Sequence, residues 1–273
     1  MSSISTLEVA WEHFPWGTYD HEVEEDLDET DFCIRVAETN RLELLKWARE
    51  EKKCEWDDMT IKAAARQGNL EMVKYCVANK CPIDERACGW AAFNGHLEIL
   101  KYLCEEGKAP WDFKTAASAA QNGHLHILEY LVERKYDRYS EDTCAYAAMN
   151  GHLDCLKYLH ETAKVPWDED TALEAAENGH LHILEYLVER KFDKYNTDAC
   201  ADAAMVGQLD CLKYLHETAK APWDSQAVRG AHRNKHPECL QYLLDNDCPL
   251  PDGWLYEGGT LHTADEDSDE FDD

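Results

Sequence analysis

Histidine and cysteine are the side chains of this sequence best suited to chemistry, and both recur at fixed intervals. His96, His124, His152 and His180 each follow a glycine directly, and His124/His126 and His180/His182 form close pairs. Paired imidazoles can hold a metal ion or move protons. Twelve cysteines add thiols, of which Cys76, Cys81 and Cys88 could join His96 in a zinc set. No tight C-x₂-C pair supports that set, and the histidine pairs recur together with everything around them. Residues that repeat with a scaffold belong to the scaffold. The histidines are expected to tie each turn to its neighbour by hydrogen bonds, and the cysteines to act as small reduced core residues. There is no glycine-rich phosphate loop and no G-x-S-x-G elbow, and carboxylates are too numerous for one acid/base pair to stand out. The chain reads as a non-enzyme with no cofactor and no metal.

The elements that carry these residues are written over and over. Residues 120–168 and 176–224 are identical at 39 of 49 positions, and each copy divides again near its middle. The position of Gly123 recurs as Asn40, Gly68, Gly95, Gly151, Gly179, Gly207 and Lys235, at steps of 27 or 28 residues. A period of this size marks stacked repeats, here eight of them. Ahead of each slot lies an alanine-rich helix A of about eight residues, with Asp or Thr as its N-cap, as in Asp142-Thr143 and Asp170-Thr171. Behind it runs helix B, with an apolar stripe such as Leu153, Cys155, Leu156 and Leu159. One position of helix B is always aromatic, from Trp47 and Tyr75 to Tyr242. A loop of the form Lys-x-Pro-Trp-Asp closes alternate units, its proline expected to stop helix B, and the near-copy makes a 56-residue block the better structural unit.

Ala-Ala-x-Asn-Gly-His-Leu-x-Ile-Leu-x-Tyr-Leu, as in 119–131 and 175–187, resembles the ankyrin repeat. The resemblance spans about 30–250. It implies an all-α, ankyrin-like solenoid of eight stacked helix-turn-helix repeats, with short loops in place of β-hairpin fingers. Ankyrin repeats usually hold about 33 residues, so the shortfall falls in the finger. A leucine-rich repeat would need an L-x-x-L-x-L strand, and tetratricopeptide repeats longer helices; neither pattern occurs. The layout expected is an N-terminal aromatic cap and acidic linker (1–29), the repeat array (30–250, terminal units degenerate), and a C-terminal extension with an acidic disordered tail (251–273). Trp11, Phe14, Trp16 and Tyr19 form the cap, and Trp254, Leu255 and Tyr256 are expected to order part of the extension.

A net charge of −29 argues against nucleic-acid backbones and anionic membranes as partners. No apolar run is long enough to span a bilayer, and the first residues do not read as a secretion signal; a cytoplasmic or nuclear monomer is expected. Function is expected on the variable face of helix A, five and two residues before the turn slot, which the resemblance turns toward a concave groove. Trp90, Phe93, Gln121, Tyr146, Met149, Glu174, Glu177, Asp202 and Met205 are the protein-binding residues this singles out. The aromatic column at Trp56, Trp111, Tyr139, Trp167, Tyr195 and Trp223 either seals the loops or forms a second exposed row. The reading is a scaffold for a protein or extended peptide, basic if charged. The alternatives are a basic-protein binder or chaperone acting through its acidic tails, and an adaptor within a larger enzyme complex.

Overall fold

The computed structural model describes residues 8–9, 11–13, 19–20, 25–26, 28–140 and 142–263. Among them run sixteen helices of six residues or more, paired as helix A and helix B. They are α1 Glu29–Glu38, α2 Leu42–Glu50, α3 Asp58–Arg66, α4 Leu70–Ala78, α5 Glu85–Phe93, α6 Leu97–Glu105, α7 Phe113–Gln121 and α8 Leu125–Glu133. There follow α9 Thr143–Met149, α10 Leu153–Glu161, α11 Glu169–Glu177, α12 Leu181–Glu189, α13 Thr197–Met205, α14 Leu209–Tyr214, α15 Ser225–Arg233 and α16 Pro237–Asp245. Two compact units contain them, Met1–Ser140 with α1–α8 and Glu141–Asp273 with α9–α16. Within the first unit the A helices α1, α3, α5 and α7 pack in series, and each packs on its own helix B. Within the second, α9, α11, α13 and α15 do the same. No helix among the described residues is long and apolar enough to cross a membrane.

Alanine makes this stacking possible. Ala64/Ala65, Ala91/Ala92, Ala119/Ala120, Ala147/Ala148, Ala175/Ala176 and Ala203/Ala204 are all fully buried, so neighbouring A helices meet through methyl groups. The N-caps are carboxylates or an amide: Asp57, Asp84, Asp112, Asp168, Asn196 and Asp224 each accept a backbone N–H in the first turn. Two expected caps differ. Asp168, not Asp170, caps α11, and Asp142 makes no capping bond to α9, a helix A of seven residues where most have nine.

Each turn slot sits in the left-handed region. At Gly95, with φ of 74°, an added Cβ would lie 2.7 Å from His124 Cε1, so a close approach excludes a side chain as well. The terminal repeats reach the same region with Asn40 and Lys235.

Helix B ends by a device that the sequence pattern does not announce. Lys53, Lys80, Lys108, Lys135, Lys164, Lys191, Lys220 and Asp247 all carry φ between 53° and 62°. The next residue in each case (Cys54, Cys81, Ala109, Tyr136, Val165, Phe192, Ala221, Cys248) is buried, and its N–H returns to a helix-B carbonyl. This left-handed cap stops the helix. Proline is not the stop, because units with Tyr136 or Phe192 in place of an Ala-Pro or Val-Pro pair end in the same way. The return bond alternates in reach. It runs five residues back in α4, α8, α12 and α16, as from Cys81 to Cys76, and six back in α2, α6, α10 and α14, as from Val165 to Leu159. The extra residue shows openly as a π turn over Leu215–Ala219.

Strands occur only near the ends of the described chain. β1 (Tyr19–Asp20) pairs with β2 (Glu25–Asp26), and β3 (Leu255–Glu257) pairs with β4 (Thr260–His262) around Gly258-Gly259, both at positive φ. The connections between helices carry none among the described residues, as the clipped fingers predict. Trp11 packs edge-on against Phe32 of α1, with ring centroids 4.9 Å apart. Phe14, Trp16, the side chain of Tyr19 and the acidic tail lie outside the described residues. Trp254 is buried against His232, whereas Leu255, paired with His262 in the hairpin, is half-exposed.

Candidate protein-binding face

In the first unit the helix-A positions five and two before the slot touch one another. Arg66 Nη2 of α3 donates to Glu38 Oε1 of α1 at 2.9 Å, and the Arg66 guanidinium lies 5.8 Å from the centre of the Trp90 ring on α5. Trp90 meets Phe93 edge-on, with centroids 5.5 Å apart. Both rings are half-buried and wall an open pocket of ≈ 210 Å³, with Ser118 of α7 across from them. Gly89 lines this pocket, and a Cβ there would meet nothing within 4 Å. Packing therefore does not demand this mid-helix glycine, which costs about 1 kcal/mol against alanine and leaves the pocket deeper. Gln121 stands half-buried at the C-terminal end of α7.

The second unit presents a different chemistry on the same positions. Tyr146 and Met149 are half-buried on α9, and Met205 on α13 is 38% exposed. Glu174 and Glu177 of α11 and Asp202 of α13 form an acidic field. Burial raises the Glu174 carboxyl above its usual value, helped by Glu177, Asp170 and Asp202. Burial likewise raises Asp202, with Glu177 and Asp198 adding to it. Asp170 belongs to this field although the repeat pattern does not single it out; it stands four residues before Glu174, one helical turn away on the same face. That spacing is the signal in the sequence that could have found it.

One charged residue escapes the pattern altogether. Lys62 lies inside the first unit with its side chain only 3% exposed, paired to Asp58 and, at 3.1 Å, to Asp84. Nothing in the helix-A pattern announces a buried amine at that position.

Three of the four glycine-following histidines, and both of their paired neighbours, spend Nε2 on the preceding repeat; no such bond is seen for His152 among the described residues. His96, His124 and His180 donate from Nε2 to the carbonyls of Arg66, Phe93 and Met149 at 3.0–3.2 Å. His126 and His182 do so to Gly95 and Gly151 at 3.1 Å. The loop tryptophans are half-buried against neighbouring side chains. Trp56 lies under Arg49 at 4.1 Å, Trp111 meets Tyr136, and Trp223 stacks on His216. All twelve thiols are free, eleven of them buried. Among the described residues one set of metal-type ligand atoms is close, on Asp142, Asp168 and Asp170, within 4.8 Å of one another; Asp168 is already spent as the cap of α11.

The crystal structure of the human ASB11 ankyrin repeat domain aligns over 68% of this chain and 82% of that one, at 19% identity and a TM-score of 0.36, a superposition too loose to carry detail. No curated protein matches the chain significantly. The family description "Ankyrin repeats (3 copies)" matches residues 91–167, 116–198 and 144–223, and "Ankyrin repeats (many copies)" matches 61–103. These matches run without a break from the second repeat into the seventh, over the same helix pairs, turns and bonded histidines, and the chain belongs to the ankyrin-repeat family.

Proposed function

We propose that the protein is a non-catalytic scaffold that holds a protein or an extended peptide along the helix-A face of its repeats. Ankyrin-repeat domains are typically protein–protein interaction scaffolds and typically non-catalytic. The observation that carries the finer reading is a contrast within helix A. The alanines three and four residues before the slot are fully buried and nearly invariant from repeat to repeat. The positions two and five before it are mostly half-exposed and change chemistry at every step, from Arg66 through Trp90 and Phe93 to Glu174 and Asp202. Half-exposed aromatics and Met are the residue types of interface hot spots. Trp90 and Phe93 supply the apolar anchor point of the first unit, Tyr146, Met149 and Met205 are the apolar groups of the second, and Gln121, Glu174, Glu177 and Asp202 set polarity and favour basic segments.

Affinity purification with cross-linking would locate the partner on the chain. Trp90→Ala with Phe93→Ala is expected to weaken the recovered complex at least tenfold while circular dichroism stays unchanged. A double substitution on the outer face of helix B, Glu98→Ala with Glu129→Ala, should leave it intact. Full binding by the folded Trp90/Phe93 variant, or loss of binding on removal of 265–273 alone, would overturn this reading in favour of the acidic tail.

A further inference from the structure

Cys88 of α5 and Cys104 of α6 hold their sulfurs 3.8 Å apart, in contact across the third helix pair. The repeats show how specific this is. Cys88 stands seven residues before its turn slot and Cys104 nine after. The repeats that also carry cysteine in the first position face it with Arg49, His160 or His216 in the second. At these two positions the third repeat alone has sulfur on both sides; Cys33 with Cys54 and Cys76 with Cys81 also bring thiols into contact, but all four of those are buried.

The two thiols differ in access. Cys88 is fully buried. Cys104 is half-buried and lines a surface pocket with Glu105, Trp111, Tyr130 and Arg134. They differ also in acidity. The hydrogen bond with Cys88 holds the Cys104 thiol below its ordinary value, and Arg134 adds to this against the opposing effects of burial and Glu105. Cys88 is pushed up by the same bond and by burial. An accessible thiol that ionises more readily, beside a protected thiol in contact with it, is the arrangement of an attacking and a resolving cysteine.

We infer that Cys104 and Cys88 form an oxidisable dithiol, at which a hydroperoxide modifies Cys104 and Cys88 closes a disulfide. In the first step the Cys104 thiolate attacks one peroxide oxygen. The O–O bond breaks, the departing hydroxide takes up a proton as water, and Cys104 is left as a sulfenic acid. In the second step the Cys88 sulfur attacks the Cys104 sulfur. The S–O bond breaks, and hydroxide leaves with the Cys88 proton as water. Two thiols lose two electrons in total, and one hydrogen peroxide becomes two waters. Closure draws the sulfurs from contact distance to about 2.05 Å and ties helix A to helix B of one repeat. Trp90 and Phe93 follow Cys88 on the same helix, so the bond would tether the helix that carries the aromatic pocket.

The test uses the reduced full chain, exposed to hydrogen peroxide, quenched with N-ethylmaleimide, digested without reductant and read by mass spectrometry. The expected product is a Cys88–Cys104 linked peptide that forms before any pairing of the other ten cysteines. Cys104→Val should abolish it, and valine is safe there because Val132 and Val188 hold the same position in other repeats. Cys88→Ala should leave a Cys104 sulfenic acid that dimedone captures; Ala116 and Ala172 already occupy the equivalent position in other repeats, so the substitution fits the fold. A different pair dominating the linked peptides of the wild-type chain overturns the inference. So does a folded Cys88→Ala chain that dimedone fails to label at Cys104. Should either variant misfold by circular dichroism, the wild-type linkage decides alone.

Discussion

His160 lies flat against Trp167, their ring centroids 3.6 Å apart and their planes 8° from parallel. The indole is closed on other sides by Tyr186 at 6.0 Å and Phe192 at 5.7 Å. His160 and Trp167 stand at positions that meet in other units too, as Arg49 with Trp56 and His216 with Trp223. In these three units the loop indole is thus covered by the residue seven positions before it.

The stack has a pH signature. Burial holds the His160 imidazole below its ordinary 6.5; Lys164 and Arg190 act in the same direction, and Glu161 opposes them. A lowered imidazole favours the neutral ring in the folded chain. Its contribution to stability is complete above 6.5 and is lost as the pH falls from there through the lower folded value. An NMR titration of the His160 ring should find a midpoint below 6.5, and Trp167→Ala should raise it by opening the site to water. A midpoint at or above the ordinary value in the wild-type chain would contradict the stacked arrangement.

The left-handed lysines predict stabilising substitutions. A non-glycine residue in this region costs about 1–2 kcal/mol; glycine avoids that cost, offset in part by its greater entropy in the unfolded chain. Lys164→Gly and Lys191→Gly are each expected to stabilise the second unit by roughly 0.5–1 kcal/mol, measured by urea denaturation. The same change at Lys157, inside α10, should instead destabilise by about 1 kcal/mol, as glycine does in any helix interior.

The acidic field on α11 and α13 carries the opposite pH dependence from His160. Raised carboxyls bind protons more readily in the folded than in the unfolded chain, so their penalty applies at neutral pH and is relieved as the pH falls through the raised values toward 4. Glu174→Gln with Asp202→Asn should remove this dependence and stabilise the protein at pH 7 by about 0.5 kcal/mol. The figure is small because both side chains are largely open to solvent screening. If the partner is basic, the same pair should weaken binding and flatten its salt dependence, seen by titration at two ionic strengths.

Most of the fold was legible because repetition multiplies weak signals. One Asn-Gly-His-Leu turn says little, but seven returns of a turn slot at nearly constant spacing leave few alternatives, and the histidine bonds to Arg66, Phe93 and Met149 follow from the pattern alone. What stayed hidden lay outside the shared positions. Asp168 rather than Asp170 caps α11 because the helix begins at Glu169, two residues earlier than the Thr171 column suggests. Lys62 is buried by carboxylates from its own and the following repeat, a coincidence of two units that one repeat cannot show. The hairpin β3–β4 escaped notice although Gly258-Gly259, between short alternating runs, is a readable turn signal. On the candidate face, periodicity gave the positions of Trp90 and Phe93, while the space beside them depended on Gly89, whose absent side chain has no periodicity to betray it.

The alternating reach of the helix-B caps makes neighbouring repeats non-interchangeable. Tyr75, Tyr130, Tyr186 and Tyr242 each donate from a short-capped unit to Glu50, Glu105, Glu161 or Glu217 on the long-capped unit before it. Every such bond closes inside one pair of repeats. A gene encoding this chain can therefore lengthen or shorten without a seam only in whole pairs, since inserting a single repeat would set two caps of the same kind side by side and strand a tyrosine from its carboxylate. The doubled stretch 120–168 and 176–224 is offset by 56 residues, the length of one such pair, but it starts in a short-capped unit and ends in a long-capped one, so the copy shares the period of the hydrogen-bonded pairs and not their boundaries.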